Sequence, residues 1–332
     1  MDRHSLYFTD PRELDRRSNT FEAAADEVVV ETRVSAISAG TELLIYRGEV
    51  PTDIPADPTI DSLDTDLSFP LRYGYAAVGE VVSTGDAVAE EWLGRTVFGF
   101  NPHETAFAAA PDTLIPVPED LDPEIAALLP SVETATSLVL DGRPRLGERT
   151  VVFGAGVIGL CTIGILGTFP LDELVAVDPI ATRREHAARM GADVVVSPED
   201  VSSVVGEWDE DGADIVYELS GQPAALDDAV SVTGYDGRVI VGSWYGTKRP
   251  TLDLGTEFHR GRISIESSQV STLSPEHRGR FTRDRRTHIA LDRLMALDVS
   301  ALITHRIPFA DAQAAYTRLD EHDALQILLT YS

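Results

Sequence analysis

Lysine is almost missing from this chain. Of its 27 basic residues one, Lys248, is a lysine, and the other 26 (27 − 1) are arginines. They face 55 acidic residues, for a net charge of −28. Such a surface repels polyphosphate and anionic lipid, so nucleic acid and membrane are excluded as partners. Replacement of lysine by arginine, with abundant short carboxylates, fits a protein working in molar salt, as in a halophilic archaeal cytoplasm. There the screening length falls to ~3 Å and self-repulsion fades. Cysteine is nearly absent too: Cys161 stands alone, which rules out a disulfide within the chain and any multi-cysteine zinc site. No run of ~20 apolar residues exists to span a membrane. Met1-Asp2-Arg3-His4-Ser5 leads into no apolar h-region, so a cytoplasmic protein is expected.

What is present is enough for two cores: 332 residues, 43% of them hydrophobic, a length that suggests two domains. Residues 27–37 are β-branched and partly alternating, and read as a strand. Ala76–Thr84 and Thr96–Phe100 are two more, which makes the first third β-rich. Residues 51–70, carrying Pro51, Pro55, Pro58 and Pro70, read either as a long surface loop near a cleft mouth or as a mere acidic insertion. From about residue 134 the pattern alternates. Strands at Arg149–Phe153, Leu174–Val177, Asp193–Val196, Ile215–Leu219 and Arg238–Val241 are separated by helical stretches, including Val157–Leu166 and Ala181–Met190. Alternating β and α units imply a parallel sheet with helices on both faces. Arg285–Leu297 and Asp311–Leu319 read as further helices.

Gly154-Ala155-Gly156-Val157-Ile158-Gly159 is G-x-G-x-x-G, lying after an expected strand and opening an expected helix. That is the context a dinucleotide fingerprint requires. Gly154 permits the tight turn, Gly156 lets backbone approach a pyrophosphate, and Gly159 allows close helix packing. The following helix terminus, at Val157 and Ile158, offers free N–H groups to phosphate. Asp178 closes the next strand, 19 residues (178 − 159) past the last glycine, where a carboxylate binds the adenosine ribose and repels a 2′-phosphate. NAD is thus favoured over NADP, with Arg183 and Arg184 nearby weakening the exclusion. Ser220 and the pair Gly242-Ser243 end two further strands, and ligands bind at such carboxyl ends.

In motif order the chain resembles the medium-chain dehydrogenase/reductase (zinc-type alcohol dehydrogenase-like) superfamily over nearly its whole length. The resemblance rests on Ala36-Ile37-Ser38-Ala39-Gly40-Thr41-Glu42, Gly74-Tyr75-Ala76-Ala77-Val78-Gly79-Glu80-Val81, Ala126-Ala127-Leu128-Leu129, the glycine fingerprint and Ile303-Thr304-His305-Arg306-Ile307-Pro308. It implies an α/β protein: a GroES-like β-rich catalytic domain plus a doubly wound Rossmann domain. The expected boundaries are 1–132 for the first part of the catalytic domain, 133–272 for the NAD-binding domain, and 273–332 completing the catalytic domain. A homo-oligomer, dimer or tetramer, and a small-molecule substrate are implied as well. The zinc ligands of the family do not carry over. Ala39, or Ser38 with a one-residue shift, stands for the first cysteine, Tyr75 for the histidine and Pro130 for the third ligand. A zinc-free member is therefore expected, resembling the bacteriochlorophyllide dehydrogenase-like subgroup, which carries Leu-Pro-x-x-Glu-Thr-Ala.

Without a metal some other group must move the hydroxyl proton. The candidates are Tyr75 and Thr41, at matched family positions; His103, a residue type that titrates near neutrality; and Glu133. Thr134 matches a family position near nicotinamide. Tyr75 reads equally as an aromatic filling a vacated metal site, Thr41 as a turn hydroxyl satisfying local backbone, His103 as a surface or packed histidine, Glu42 as a structural salt-bridge partner, and Glu133 as a cap or pairing partner at a helix start. His259 and His305 read as structural. The expected activity is NAD-linked, zinc-independent interconversion of an alcohol or polyol with its carbonyl. Two alternatives stand beside it: a zinc-free quinone or enone reductase of the same family, and an NAD(H)-binding sensor without chemistry.

Overall fold

The computed structural model describes residues 1–57, 59–63, 66–208 and 212–331. The chain divides into two compact units, Met1–Pro130 with Val299–Ser332, and Ser131–Asp298.

The first unit begins with a hairpin that sequence reading did not anticipate, β1 (Asp2–Asp10) and β2 (Glu13–Thr20). Only Leu6 and Phe8 of its apolar residues are deeply buried, while β2 is largely exposed, so the period-2 signal was weak. Then come β3 (Val28–Ala36), α1 (Thr41–Arg47), β4 (Leu71–Arg72), β5 (Ala77–Thr84), β6 (Thr96–Gly99), β7 (Ala106–Ala109), β8 (Ile115–Pro116) and the short α2 (Pro123–Ala126). β3 and β5 form the antiparallel spine, with Thr32 opposite Gly79. A side chain at Gly79 would strike the Glu31 carbonyl, so the spine closes only over glycine. The segment 51–70 is not a surface loop throughout. Leu63 and Leu67 are fully buried, together with Ile45 and Tyr316, because two leucines four apart among acids give the segment an inner face. Pro58 lies outside the described residues.

The second unit opens with α3 (Leu129–Gly142) and continues through β9 (Arg149–Phe153), α4 (Val157–Leu166), β10 (Glu173–Val177), α5 (Ala181–Met190), β11 (Val194–Val196), α6 (Val201–Val205), β12 (Ala213–Glu218), α7 (Pro223–Ser231), β13 (Thr233–Val241), β14 (Ser264–Ser267) and α8 (Arg283–Ala296). Its six strands are all parallel, in the order β11-β10-β9-β12-β13-β14. This is the doubly wound arrangement, and its order reverses between β9 and β12, where ligands bind in such sheets. α5 matches its expected span and stops where Gly191 turns left-handed (φ 111°).

The chain then returns to the first unit with β15 (Ile303–Pro308), α9 (Ala312–Asp320) and β16 (Gln326–Thr330). β16 lies between β15, parallel to it, and β3, antiparallel to it.

Where the sequence placed the second boundary at 272/273, residues 273–298 instead pack with the second unit. The cause is a long-range tie on α8. The buried Arg286 donates to Glu133 Oε1 on α3 through Nε (3.3 Å) and Nη2 (3.2 Å), and to the Val270 carbonyl through Nη1 (2.6 Å). Thr287 donates to the same carboxylate oxygen at 2.7 Å. Removing one member of a buried pair strands the other charge. Arg286→Met should therefore destabilise the second unit by about 3–5 kcal/mol. Denaturant unfolding, compared with the exposed control Arg280→Met, checks this.

Candidate active site and nucleotide site

The loop after β9 shows why each glycine is needed. Gly154 adopts φ +94°, and a Cβ there would lie 2.7 Å from backbone atoms of Leu219 and Ser220 after β12. The loops that follow the two strands at the switch point can touch only with no side chain between them. A Cβ on Gly159 would lie 1.9 Å from the Gly154 carbonyl oxygen, so α4 packs directly on the loop it follows. Gly156 caps that helix and faces open space, the one glycine of the three with room in front of it. Val157 is buried at the helix start, and Ile158 is half-buried beside it.

Asp178, at the end of β10, is 3% exposed. Its Oδ2 accepts the Ala155 N–H (2.8 Å) and its Oδ1 the Ile180 N–H (2.9 Å), which ties the glycine loop to the neighbouring strand. Arg184 turns back onto the Asp178 and Pro179 carbonyls. Arg183 is half-buried, and among the described residues its guanidinium makes no hydrogen bond or ion pair.

After β12, the fully buried Glu218 gathers the surrounding turns. It accepts the Ser220 N–H (2.8 Å), the Ser220 hydroxyl and the Tyr245 hydroxyl. Burial and this carboxylate raise Tyr245 well above the usual phenol range. Ser243 receives the Gly221 N–H at 2.9 Å. Gly242 is squeezed between Leu138 and Leu219, so its absence of side chain serves packing. The candidate nucleotide residues Gly154, Gly156, Val157, Ile158, Gly159, Asp178, Ser220, Gly242 and Ser243 thus sit at the carboxyl ends of β9, β10, β12 and β13. Thr134 is half-buried on α3.

In the first unit Glu42, on α1, is the organising side chain. It is fully buried. Its Oε1 accepts the Ser38 N–H (2.8 Å), while its own N–H donates to the Ser38 carbonyl (2.9 Å). The turn 38–42 is therefore closed by backbone and side chain together. Glu42 Oε2 is bonded to His103 Nε2 (2.9 Å) and to the Tyr316 hydroxyl of α9. On the other side of the ring His103 Nδ1 meets Ser35 Oγ (2.7 Å), which meets the Tyr331 hydroxyl (2.8 Å). Nε2–H faces the carboxylate as donor, so the imidazole is held by hydrogen bonds on both sides of the ring. Tyr331 and Tyr316 are pushed far up by burial and by nearby carboxylates.

His103 is thus an interior residue with both nitrogens engaged, not a group presented to a ligand. It acts on Tyr75 through Gly74. A Cβ at Gly74 (φ +116°) would lie 2.7 Å from the imidazole, so the ring packs against the backbone immediately before Tyr75. Tyr75 itself is half-buried. Its hydroxyl donates to Ser38 Oγ, and the Thr41 hydroxyl bonds to the same phenol. Desolvation, opposed by those two bonds, pushes Tyr75 up to about 12. The structure therefore joins Tyr75 and Thr41 in one cluster, puts His103 behind them as a support, and commits Glu133 to Arg286 and Thr287. Two physical facts favour the packed reading of His103 and the paired reading of Glu133: a fully buried imidazole has no open face, and the Glu133 carboxylate already faces a buried cation. His259 is exposed and His305 half-buried beside Thr304, both away from these clusters.

Sequence reading did not single out Ser35, Tyr316, Tyr331, Tyr245 or Arg286. Among the described residues no group of three or more His, Cys, Asp or Glu side chains is arranged to hold a metal. Cys161 is buried in α4, where desolvation pushes its thiol up to about 12.

The raised tyrosines set an alkaline limit. A phenol that stays protonated in the fold to about pH 12 but ionises when unfolded near pH 10 leaves stability unchanged below pH 10. Above it the unfolded chain alone loses the proton. Unfolding free energy should therefore fall progressively between about pH 10 and 12, and Tyr75→Phe should flatten that fall. Denaturant titrations at stepped pH read it directly.

The chain matches the family model described as zinc-binding dehydrogenase over residues 157–282. It is 26% identical over 324 residues to the D-guloside 3-dehydrogenase of Escherichia coli K12, covering 90% of each chain. Among solved structures it is similar to L-idonate 5-dehydrogenase from E. coli, with a TM-score of 0.82, 17% identity, and 99% and 98% of the two chains covered. It is also similar to an E. coli CFT073 alcohol dehydrogenase complexed with NADH, with a TM-score of 0.79, 18% identity and 99% of each chain covered. These matches support an NAD(P)-dependent oxidoreductase, similar over residues 157–282 to the zinc-binding dehydrogenases.

Proposed function

We propose that this chain is a zinc-independent, NAD-preferring dehydrogenase that interconverts an alcohol or polyol with its carbonyl compound. The observation that carries the reading is the Tyr75 hydroxyl, held by Ser38 and Thr41 at the position that matches a zinc-ligating histidine. The matched ligand positions offer a serine hydroxyl or alanine, a phenol and Pro130. A tetrahedral zinc site is built from thiolate, imidazole or carboxylate donors, so this set does not fit one.

The second unit's residues do fit a dinucleotide. Gly156 and the N-terminal turn of α4 would take the pyrophosphate, and Asp178 the adenosine ribose. The bound nicotinamide supplies or accepts the hydride. A 2′-phosphate beside the Asp178 carboxylate would meet like charge, which supports NAD over NADP. Asp178 also holds the glycine loop, so cofactor choice and loop position are coupled through one side chain.

Tyr75 stays protonated at neutral pH and so serves as an O–H donor to a carbonyl oxygen. For that, its hydroxyl proton turns from Ser38 Oγ to the substrate. Thr41 keeps its bond to the phenol oxygen and stabilises the phenolate that forms. In the oxidative direction the same phenolate would be the base, which makes oxidation rise with pH. D-Guloside, butanediol and sorbitol dehydrogenases among the relatives support a hydroxylated substrate.

Tyr75→Phe should lower kcat for carbonyl reduction by about 10²-fold or more while NADH binding stays near wild type. A polyol and carbonyl panel with NADH in molar KCl measures this, and wild-type kcat in the variant overturns the role of Tyr75. Metal analysis of the purified protein should find less than stoichiometric zinc, and chelators should leave activity intact. Stoichiometric zinc with chelator-sensitive turnover sinks the zinc-independent reading. Asp178→Ser should shift the NAD-to-NADP preference toward NADP by about tenfold or more.

A further inference from the structure

The structure assigns the chain's single lysine to the dinucleotide: we propose that the Lys248 ammonium binds a phosphate of the cofactor, an assignment that rests on the dehydrogenase reading above.

Four observations converge on it. Lys248 Nζ donates to the Gly221 carbonyl at 3.1 Å, which leaves two of its three N–H donors for other partners. Gly221 adjoins Ser220, whose backbone is the surface that Gly154 must approach without a side chain. The ammonium therefore bonds the residue next to the one that the glycine loop packs against. Gly221 itself takes φ +67° and faces open space, as Gly156 does, so the ground in front of both loops is clear. Finally, the turn that carries the lysine is fixed. The Lys248 N–H donates to the Tyr245 carbonyl (3.0 Å), and the Tyr245 hydroxyl is anchored on the buried Glu218.

Charge makes the position telling. Acids outnumber bases 55 to 27, yet among the described residues this half-buried ammonium pairs with no carboxylate. Everywhere else in the chain a cation is arginine. A guanidinium is a planar fork, whereas an ammonium is a compact point charge that can bond a carbonyl and a phosphate oxygen from one atom. That difference gives a reason for lysine to persist at this one place.

The test compares wild type, Lys248→Met and Lys248→Arg at one fixed KCl concentration, with calorimetric titration of NADH, ADP-ribose and adenosine. Lys248→Met should weaken NADH and ADP-ribose about tenfold or more, and leave adenosine unchanged. Lys248→Arg should fall between the two, with melting temperatures near wild type for both. NADPH adds an arm: an equal loss for NADH and NADPH assigns the pyrophosphate, and a loss confined to NADPH overturns the assignment. In parallel, acetylation of the unique lysine, read by mass spectrometry, should slow when ADP-ribose is bound. Wild-type protein that binds NADH while Lys248→Met binds ADP-ribose equally well overturns the assignment alone. So does an equal loss for adenosine, which carries no phosphate. Wild-type protein that binds no dinucleotide overturns the dehydrogenase reading itself.

Discussion

A carboxylate taken out of water must be given hydrogen-bond donors, and in this chain that requirement shapes both units. Glu42 is satisfied by a backbone N–H, an imidazole and a phenol. Glu104, also buried, gathers Ser5, Arg3, Arg72 and Asn101. Glu218 collects Ser220 and Tyr245, and Asp178 takes two backbone N–H groups. Leaving any one of these donors unpaired costs about 1–3 kcal/mol, and more for a charged group. The loops that bear the functional residues are consequently not free segments draped over a scaffold. They are held from inside by acids.

That arrangement suits the division of labour seen here. In the proposed reading a phenol and backbone N–H groups meet substrate and pyrophosphate, while Asp178 and Lys248 bring full charge to the ribose and phosphate. Glu42 and Glu218 lie one layer behind. His103 is the clearest case. Its type suggests proton transfer, but its burial and its two bonds make it a spacer that fixes the backbone before Tyr75. A positioning residue of this kind tolerates no exchange for a smaller ring, because Gly74 was shaped around it.

Legibility in the sequence followed the range of the interaction. The glycine loop was readable because each requirement there is local and steric: Gly154 needs a positive φ, and Gly159 has no room for a Cβ. Helix α5 was readable through its own termination at Gly191. Five of the second unit's six parallel strands announced themselves as short apolar runs, whereas β14, with a single apolar residue, did not. By contrast His103 finds Glu42 across 61 residues and Ser35 across 68. Tyr316 reaches Glu42 across 274 positions, and Arg286 meets Glu133 across 153. Nothing local marks such partners, so the roles of His103 and Glu133, and the unit to which 273–298 belongs, became evident only in three dimensions.

The return of the chain to its first unit has a consequence for how the protein is made. Strand β16 lies inside its sheet, between β15 and β3, yet it is synthesised long after β3. The 168 residues from 131 to 298 (298 − 131 + 1) come in between. On a translating ribosome the early β-strands must wait, with the Val34–Ala36 end of β3 uncapped, while the contiguous second unit can complete its own sheet. An uncapped strand edge invites pairing with other chains. Until β16 arrives, that short edge is where nascent copies of this chain would pair.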